Sequence, residues 1–345
     1  MMEPVIACLR ELARGRSVSA LEVECAVASL LEDEVREAVA SAFLTALRIK
    51  GETADELEGA VRAVRSRMVR WESRIGPERL LDTCGTGGDG ASTVNISTAS
   101  AVVAAACGVP VVKHGNRAAS GNSGSSDVLS ALGVTADPGP EVLCRCLTEL
   151  NLAFLFAPRF HPGLKSVAAV RRQLPFRTLF NLVGPLCNPA GPGYQLVGTP
   201  SEAQADLLAA VLARLEHVRR AVVATGSDGL DEVTLDGPTT VRLVEPGQVR
   251  LETWLPDDFG LASCGAEGLR VNGPEESAER IRRAFAGEPG PVRDYVLANS
   301  AAALWVAGMS SLREGVARAA VALDSGAAAG LLSRWSVVSG EDIRT

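Results

Sequence analysis

Lysine and histidine are scarce in this chain of 345 residues. Of its 34 lysines and arginines only three are lysines, at positions 50, 113 and 165, and its three histidines stand at positions 114, 161 and 217. Arginine therefore supplies the ordinary surface charge, so each lysine or histidine is a candidate for a particular role. Residues 113 and 114 are adjacent, and residues 161 and 165 share a second motif. Lys50 and His217 belong to no motif and are expected at the surface.

Long apolar runs, an excess of basic charge and paired cysteines are also missing. The longest apolar runs, 99–107 and 300–308, reach about half of the ~20 residues that a membrane helix needs. The N-terminus lacks the basic and then apolar pattern of a signal peptide, so we expect a cytoplasmic location. A net charge of −7 argues against binding to nucleic acid or an anionic membrane. None of the eight cysteines forms a CxxC pair, which favours buried free thiols over a metal or redox site.

Two regions of different pattern divide the chain. In residues 1–73, Ser19 and Thr53 begin capping boxes, and apolar side chains recur at helical spacing, as at Val35, Val39, Phe43 and Leu47. After residue 80, short β-branched runs alternate with glycine-rich turns and alanine-rich helices, which predicts a mainly parallel sheet flanked by helices. We therefore predict an α/β fold, with a small helical domain at 1–73 and a large α/β domain at 74–345. The strands are expected at 80–84, 109–112, 153–156, 221–224, 241–244 and 249–254, and the main helices of the large domain at 97–107, 125–132 and 297–308.

A glycine-rich run, GTGGDG at 85–90, follows the first predicted strand. It satisfies the G-x-G-x-x-G pattern of dinucleotide sites, but residues 91–96 separate it from the next helix. The acidic residue expected about 20 positions later is also missing. The run better suits a loop whose backbone N–H groups wrap a phosphate or diphosphate. Asn95, Ser97 and Thr98 open the following helix, with Ser97 as its predicted cap, and this helix start adds free N–H groups beside the loop.

Two further motifs place cations beside glycines. KHGNR at 113–117 follows the second predicted strand and leads into small residues at 118–127, a pattern that suits an anionic ligand with hydroxyl groups. HPGLK at 161–165 is predicted to open a helix that continues through Arg171 and Arg172, about 15 Å along. A guanidinium matches a carboxylate, so Arg171 is either a ligand for an organic acid or a surface residue.

Adjacent carboxylates occur in DGLDE at 228–232, after another predicted strand. Such a pair can hold Mg²⁺ together with substrate phosphate oxygens, although acidic residues are also common in turns. The glycine-rich run elsewhere in the chain favours the metal.

With these motifs in order, the sequence resembles the anthranilate phosphoribosyltransferase family of tryptophan biosynthesis from about residue 4 to 335. The resemblance rests on GTGGDG, NIST at 95–98, KHGNRAAS at 113–120, GSSD at 124–127, FLFAPRFHPGLK, VRR, RTLFNLVGPLCNPA and DGLDE. It implies transfer of a phosphoribosyl group from 5-phosphoribosyl 1-diphosphate (PRPP) to the amine of anthranilate, the second step from chorismate to tryptophan. It also implies Mg²⁺, a homodimer formed through the helical domains, and a segment near 167–192 that returns to the helical domain.

The resemblance further implies roles for individual residues, and no single acid or base among them. Those for PRPP are Gly85, Gly88, Asp89, Thr93, Asn95, Ile96, Ser97, Thr98, Lys113, His114, Gly115, Asn116, Arg117, Ala118, Ala119, Ser120, Gly121 and Ser125. Those for anthranilate are Gly85, Asn116 and Arg171, with His114 and His161 lining the pocket, and those for Mg²⁺ are Ser97, Asp231 and Glu232. Gly163 and Leu164 replace a common Ala-Met near the acceptor channel.

Two other functions compete with this one. A pyrimidine-nucleoside phosphorylase would share the fold and a KHG-like loop, but the paired carboxylates of DGLDE suit a complex of metal and diphosphate better than free phosphate. A non-catalytic relative that binds nucleic acid would need a basic groove, which fits poorly with the net charge of −7.

Overall fold

Helices occupy the first part of the chain, and a sheet begins at Leu81. The computed structural model describes residues 2–32, 36–118, 123–309 and 311–341. Within these ranges a small helical layer packs on a seven-stranded, mostly parallel sheet flanked by helices, which confirms the predicted fold class. Val35, Ala119, Ser120 and Gly121, which the sequence predictions name, lie outside the described residues.

The helical layer has the predicted capping boxes. Its helices are α1 Glu3–Leu12, α2 Ala20–Leu30, α3 Glu37–Lys50 and α4 Ala54–Arg67. At the start of α2 the Ser19 hydroxyl accepts from the Glu22 N–H, and the Glu22 carboxylate accepts from the Ser19 N–H at 2.8 Å. Thr53 and Glu56 repeat the arrangement at the start of α4. These reciprocal bonds satisfy donors that a helix start leaves free, so both helices begin where the sequence predicts.

Lys50 is not a surface residue, contrary to the expectation. Its ammonium lies 3.0 Å from the carboxylate of Glu56, and the Lys50 side chain is only 10% exposed. Glu56 is fully buried and also accepts from the backbone N–H of Val18, in the segment that leads into α2. A buried carboxylate requires compensation, and Lys50 supplies it.

The sheet has the order β3-β2-β1-β4-β5-β6-β7. The strands are β1 Leu81–Gly85, β2 Val111–Gly115, β3 Leu152–Phe156, β4 Tyr194–Gly198, β5 Arg220–Gly226, β6 Thr239–Glu245 and β7 Gln248–Trp254. The first five in chain order are parallel to one another, while β6 and β7 form an antiparallel hairpin at one edge. Strand β4, which is short and follows Gly-Pro-Gly, was not predicted from the sequence. The second strand extends further than predicted, since Lys113 and His114 lie inside β2.

Helices cover both faces of the sheet. They are α5 Ile96–Ala106, α6 Ser125–Ala131, α7 Pro140–Leu150, α8 Ala157–Phe160, α9 Ala168–Gln173, α10 Phe180–Val183, α11 Glu202–Leu212, α12 Pro256–Phe259, α13 Pro274–Phe285, α14 Pro291–Val306, α15 Leu312–Asp324 and α16 Ala327–Ser339. The apolar helix predicted at 297–308 is the C-terminal part of α14, which packs against α5 and the sheet. Among the described residues no single helix is long and apolar enough to cross a membrane; only α15 and α16 taken together meet that test, with a 64° bend between them.

The helical layer and one face of the sheet share an apolar cluster. Phe43 of α3, Val61 of α4, Val197 of β4 and Leu208 of α11 all belong to it. Val170 of α9 joins the same cluster, so the chain after β3 runs back beneath the helical layer. The domain boundary at residue 73 stays a prediction, because the core is continuous across it.

The cysteines are free thiols, as predicted. Cys8, Cys84, Cys146 and Cys187 are buried, whereas Cys25 is exposed, so burial does not hold for every one of them.

His217, expected at the surface, is half-buried between the helical layer and the sheet. The Arg65 guanidinium of α4 lies 3.4 Å from its Nδ1 atom and donates to the carbonyl oxygen of Leu186 at 3.2 Å. Burial, and then the positive charge of Arg65, lower the pKa of His217 to about 4. The imidazole is therefore neutral in the folded protein at neutral pH.

This lowered pKa predicts sensitivity to acid. The unfolded chain takes up the proton near pH 6.5, so folding stability is lost as the pH falls from about 6.5 towards 4. We expect the free energy of unfolding to fall between pH 7.5 and pH 5 by about 1–2 kcal/mol less in His217→Gln than in the unsubstituted protein. Urea unfolding at both pH values measures this, with the exposed Arg219→Gln as the matched control. An equal pH dependence in His217→Gln would contradict the assignment.

Candidate active site

The predicted motifs meet in one cleft of about 340 Å³. It opens where β1, β2 and β5 end, because parallel strands place their carboxyl ends on the same edge of a sheet. The predicted residues that line it are Gly85, Gly88, Asp89, Thr93, Asn95, Ser97, Lys113, His114, Gly115, Asn116, Arg117, Ala118, Ser125, His161, Arg171, Asp231 and Glu232. Ile96 and Thr98 instead turn their side chains into the protein interior. Leu164 also lines the cleft, whereas Gly163 lies against Leu31, directly after α2.

The glycine-rich loop follows β1 and turns back on itself. The Thr86 N–H donates to the Gly198 carbonyl oxygen at 2.8 Å, and the Gly87 N–H donates to Oδ2 of Asp231 at 2.8 Å. A Cβ atom on Gly85 would collide with the same carboxylate oxygen, so the close approach requires glycine there. The loop therefore brings its backbone directly against the DGLDE motif.

The helix α5 begins at Ile96 with Asn95 as its N-cap residue, so the predicted cap at Ser97 is wrong. The Asn95 side chain accepts from the hydroxyls of Ser123 at 2.7 Å and Ser277 at 2.9 Å. It thereby joins the start of α5 to the segment before α6 and to α13. Ser277 lies in no motif, so its contribution was invisible in the sequence. Ser97 sits in the first turn of α5, with its N–H donating to Oε1 of Glu232 at 3.2 Å.

Lys113 is buried in β2, where its ammonium donates to the Thr83 carbonyl oxygen and to the Ser97 hydroxyl. Burial lowers the pKa of Lys113, and the negative charge of Asp82 opposes this. Asp82 on β1 is fully buried and accepts from the His114 N–H at 3.1 Å and from the Asn188 side chain at 2.8 Å. Asp82 was not among the predicted site residues, because a single acid within an apolar strand gives no motif.

His114 and His161 form a buried pair with their Nε2 atoms 3.2 Å apart. His114 Nδ1 lies 3.2 Å from the Gly184 carbonyl oxygen. Because a carbonyl only accepts, we assign the proton of neutral His114 to Nδ1, so that its Nε2 accepts from His161. Burial lowers the pKa of His114 to about 3 and that of His161 to about 4, and the charges of the partner ring and of Arg65 act in the same direction. Both rings are neutral at pH 7 and suit the orientation of a ligand better than proton transfer.

The helix predicted to run unbroken from 161 through Arg172 is wrong. A short 3₁₀ turn, Pro162–Lys165, precedes α9, which begins at Ala168. The Ser166 hydroxyl bonds the carbonyl oxygens of Gly163 and Leu30, both at 2.7 Å, and the helix starts again only after it. The break lets α9 point Arg171 into the cleft while Arg172 stays exposed.

The Arg171 guanidinium lies over the Phe180 ring, 5.7 Å from its centroid. Burial, and then the neighbouring charge of Arg177, lower the pKa of Arg171. Among the described residues none forms an ion pair with Arg171. A partly buried guanidinium with this environment has a free planar fork to offer a carboxylate.

Asp231 and Glu232 face the cleft beside the glycine-rich loop. Burial, and then the charge of Asp89, raise the pKa of Asp231 to about 6, while burial and the charge of Asp231 raise that of Glu232. A divalent cation would relieve this repulsion, and hard carboxylate oxygens suit Mg²⁺. Within the described residues no group of three or more His, Cys, Asp or Glu side chains forms a complete metal site. Two carboxylates fit an ion that takes its other ligands from phosphate and water.

Residues outside every predicted motif hold these carboxylates in place. Asn299 of α14 accepts from the Val233 N–H and donates to the Val233 carbonyl oxygen, both at 2.9 Å. Thr234 donates to Asp228 at 2.5 Å and contacts the Tyr295 hydroxyl at 3.0 Å. Helix α14 therefore positions the DGLDE loop. Its sequence indicated only an apolar core helix, because Tyr295 and Asn299 are separated by ordinary helical spacing and form no motif.

Residues 77–329 match the α/β domain of the glycosyl transferase family, and residues 6–68 match its helical bundle domain. The chain is therefore a glycosyltransferase of this class.

Several relatives identify the family within this class. The anthranilate phosphoribosyltransferase of Methylobacterium radiotolerans is 48% identical over 327 residues, which cover 94% of each chain. The crystal structure of the enzyme of that name from Thermus thermophilus has a TM-score of 0.88 at 39% identity, covering 97% of this chain and 99% of that one. The Saccharomyces cerevisiae enzyme in complex with PRPP and Mg also has a TM-score of 0.88, at 27% identity over 97% of each chain. This chain belongs to the anthranilate phosphoribosyltransferase family, which confirms the resemblance and the predicted enzyme class.

Proposed function

We propose that this protein transfers the phosphoribosyl group of PRPP to the amine of anthranilate, giving N-(5-phosphoribosyl)anthranilate and diphosphate. The observation that supports this most strongly is one cleft with two chemically different walls. One wall combines the glycine-rich loop, the start of α5 and the acids Asp231 and Glu232. The other combines Arg171 with the neutral pair His114 and His161. The yeast relative whose structures contain PRPP with Mg, and separately 4-fluoroanthranilate, supports the same pair of substrates.

The first wall suits the diphosphate of PRPP. Backbone N–H groups of the glycine-rich loop and the positive end of the α5 dipole favour an anion there. The ammonium of Lys113 donates to the Ser97 hydroxyl and to the Thr83 carbonyl oxygen, so it adds positive charge to this wall from a fixed position. We assign to PRPP the residues between Gly85 and Ser125 that were predicted to bind it and that line the cleft, His114 included. We also keep Ile96 and Thr98, whose side chains are buried and whose N–H groups donate to the Val94 and Asn95 carbonyl oxygens, and the positions outside the described residues, Ala119, Ser120 and Gly121.

Mg²⁺ would be held by Asp231, Glu232 and Ser97. When bound, it neutralises negative charge that develops on the departing diphosphate. Asp231 Oδ2 already accepts the Gly87 N–H, so the carboxylate that would bind the metal also holds the loop that would bind the diphosphate.

The second wall suits anthranilate. The Arg171 fork would bind the carboxylate, with Asn116 and Gly85 beside it, while His114 and His161 would line the aromatic ring. An aromatic amine attacks in its neutral form, so the reaction needs alignment of the amine with the anomeric carbon more than it needs a base. The low pKa values of both histidines agree with this, because a base that protonates only near pH 3–4 accepts a proton poorly at neutral pH.

The reaction itself is the first test. Purified protein should release diphosphate from PRPP only when both Mg²⁺ and anthranilate are present, and the fluorescence of anthranilate should fall in step. Phosphorolysis of thymidine or uridine, without any reaction of PRPP, would replace this proposal with the phosphorylase. Binding to nucleic acid with no turnover of either substrate would favour the non-catalytic relative.

Replacement of Arg171 tests the acceptor wall. Loss of a charge-assisted, forked contact with a carboxylate costs about 1.5–3 kcal/mol, so Arg171→Ala should raise the KM for anthranilate roughly 10- to 100-fold. The KM for PRPP should change far less. Steady-state kinetics with each substrate varied in turn measure both constants. The adjacent, exposed Arg172→Ala is the matched control, and equal effects of Arg171→Ala on both KM values would remove it from the acceptor site.

Replacement of the paired acids tests the metal site. The double variant Asp231→Asn with Glu232→Gln should need at least about tenfold more Mg²⁺ for half-maximal rate, because neutral amides bind the ion more weakly than carboxylates. The control is Asp236→Asn, an exposed acid in the same loop. Titration of the rate with MgCl₂ at saturating PRPP measures the effect, and an unchanged Mg²⁺ response would exclude these residues as ligands.

A homodimer formed through the helical layer and a cytoplasmic location remain part of this proposal. The homodimer is what the family resemblance implies, and sedimentation velocity of the purified protein tests it.

A further inference from the structure

Arg177 is a cleft residue to which no predicted role was assigned. It lies between α9 and α10, on the segment that runs back beneath the helical layer. Its Nη2 donates to the Thr86 carbonyl oxygen and its Nη1 to the Gly87 carbonyl oxygen. One planar guanidinium therefore binds two consecutive carbonyl groups of the glycine-rich loop.

These two bonds determine how the loop presents its N–H groups. In a trans peptide unit the C=O and the following N–H point in opposite directions. The Gly87 carbonyl points at Arg177, so the Gly88 N–H points away from the guanidinium. The peptide unit between Thr86 and Gly87 has the same arrangement. Its Thr86 carbonyl faces Arg177, while its Gly87 N–H donates to Asp231 on the opposite side.

Gly88 is fitted to the arginine as well. Its φ of +80° lies in the left-handed region, and a Cβ atom there would collide with Arg177 Nη1. The guanidinium thus occupies the space that any other side chain at position 88 would need. Arginine and glycine at these two positions form one steric unit.

The surrounding charges hold Arg177 where it is. Burial lowers the pKa of its guanidinium, and the negative charges of Asp231 and Asp89 oppose that effect. Arg171 is the nearby cation on the same segment, and the two guanidinium groups disfavour each other. Arg177 is therefore drawn towards the loop and its acids and away from the acceptor wall.

We propose that Arg177 is a positioning residue for PRPP: through the Thr86 and Gly87 carbonyls it sets the loop conformation that directs the Gly88 N–H to the diphosphate. This inference rests on the proposed function, because it takes PRPP as the ligand of the loop. It assigns Arg177 no contact with the reacting atoms.

Kinetics of Arg177→Ala test the proposal, with Arg172→Ala as the control on the same segment. The KM for PRPP should rise roughly 10- to 100-fold, since misplacement of a ligand-binding group by about 1 Å has effects of this size. The KM for anthranilate should change less than about threefold. Arg177→Lys keeps the charge but cannot span both carbonyls, so its KM for PRPP should lie between those of the parent and of Arg177→Ala. A PRPP KM unchanged in Arg177→Ala would overturn the proposal.

Hydrogen exchange of the free protein separates this proposal from the proposed function. Peptides covering 85–90 should exchange at least about tenfold faster in Arg177→Ala than in the parent or in Arg172→Ala, because the loop loses the hydrogen bonds from Arg177 that order it. This readout needs no substrate. If the parent does not use PRPP but exchange is faster in Arg177→Ala, the proposed function is rejected and the role of Arg177 in the loop is kept. If exchange is unchanged in Arg177→Ala, that role is overturned, even when the parent is active.

A double-variant cycle tests the steric unit. Gly88→Ala should weaken PRPP binding at least about tenfold more in the parent than in the Arg177→Ala background, where the clash is gone and only the strain of a left-handed alanine remains. Isothermal titration with PRPP and MgCl₂ measures the affinities. Additive effects of the two substitutions would show that the two residues act independently, and would contradict the proposal.

Discussion

The buried charge of Lys113 is the constraint on which the cleft depends. An ammonium inside a parallel sheet must be compensated by acids and acceptors around it. The negative charges of Asp82, Glu232 and Asp231 all favour the ammonium, which itself donates to Thr83 and Ser97. Each of these acids also accepts a hydrogen bond from a backbone N–H group of the cleft. The electrostatic requirement of Lys113 therefore organises several loops.

Asp231 illustrates how closely the two halves of the phosphate wall are joined. Its carboxylate accepts the Gly87 N–H, and the same carboxylate oxygen lies only 2.4 Å from where a Cβ atom of Gly85 would stand. The proposed metal ligands and the proposed diphosphate loop therefore share a hydrogen bond before any ligand arrives. Arg177 holds the same loop from the opposite side, which leaves the peptide after Gly87 little freedom to rotate. A site preorganised in this way loses little entropy when it binds an anion.

Many features of the fold and of the cleft could be predicted because they depend on residues close together in the sequence. Capping boxes at Ser19 and Thr53 depend on residues three positions apart, and the glycine-rich loop follows its strand directly, so both could be predicted from the sequence. The errors arose where distant contacts decide the outcome. The helix expected to run from 161 through Arg172 is broken where the Ser166 hydroxyl donates to a carbonyl oxygen of α2. Lys50 lies away from the surface because it pairs with the buried carboxylate of Glu56.

Amino-acid order alone was enough to predict the class of fold and the order of the motifs, because periodicity, turn residues and motif spacing are properties of neighbouring positions. The roles of individual residues in the proposed chemistry came from the family resemblance. The side chains that support those residues became visible only in the folded chain. Asp82, Ser277, Asn299 and Arg177 stand in no recognisable pattern of ligands, and each acts on a segment between 66 and 182 positions away or on an adjacent strand. Such contacts come from the packing of parallel strands and returning segments, which places residues side by side irrespective of their separation along the chain.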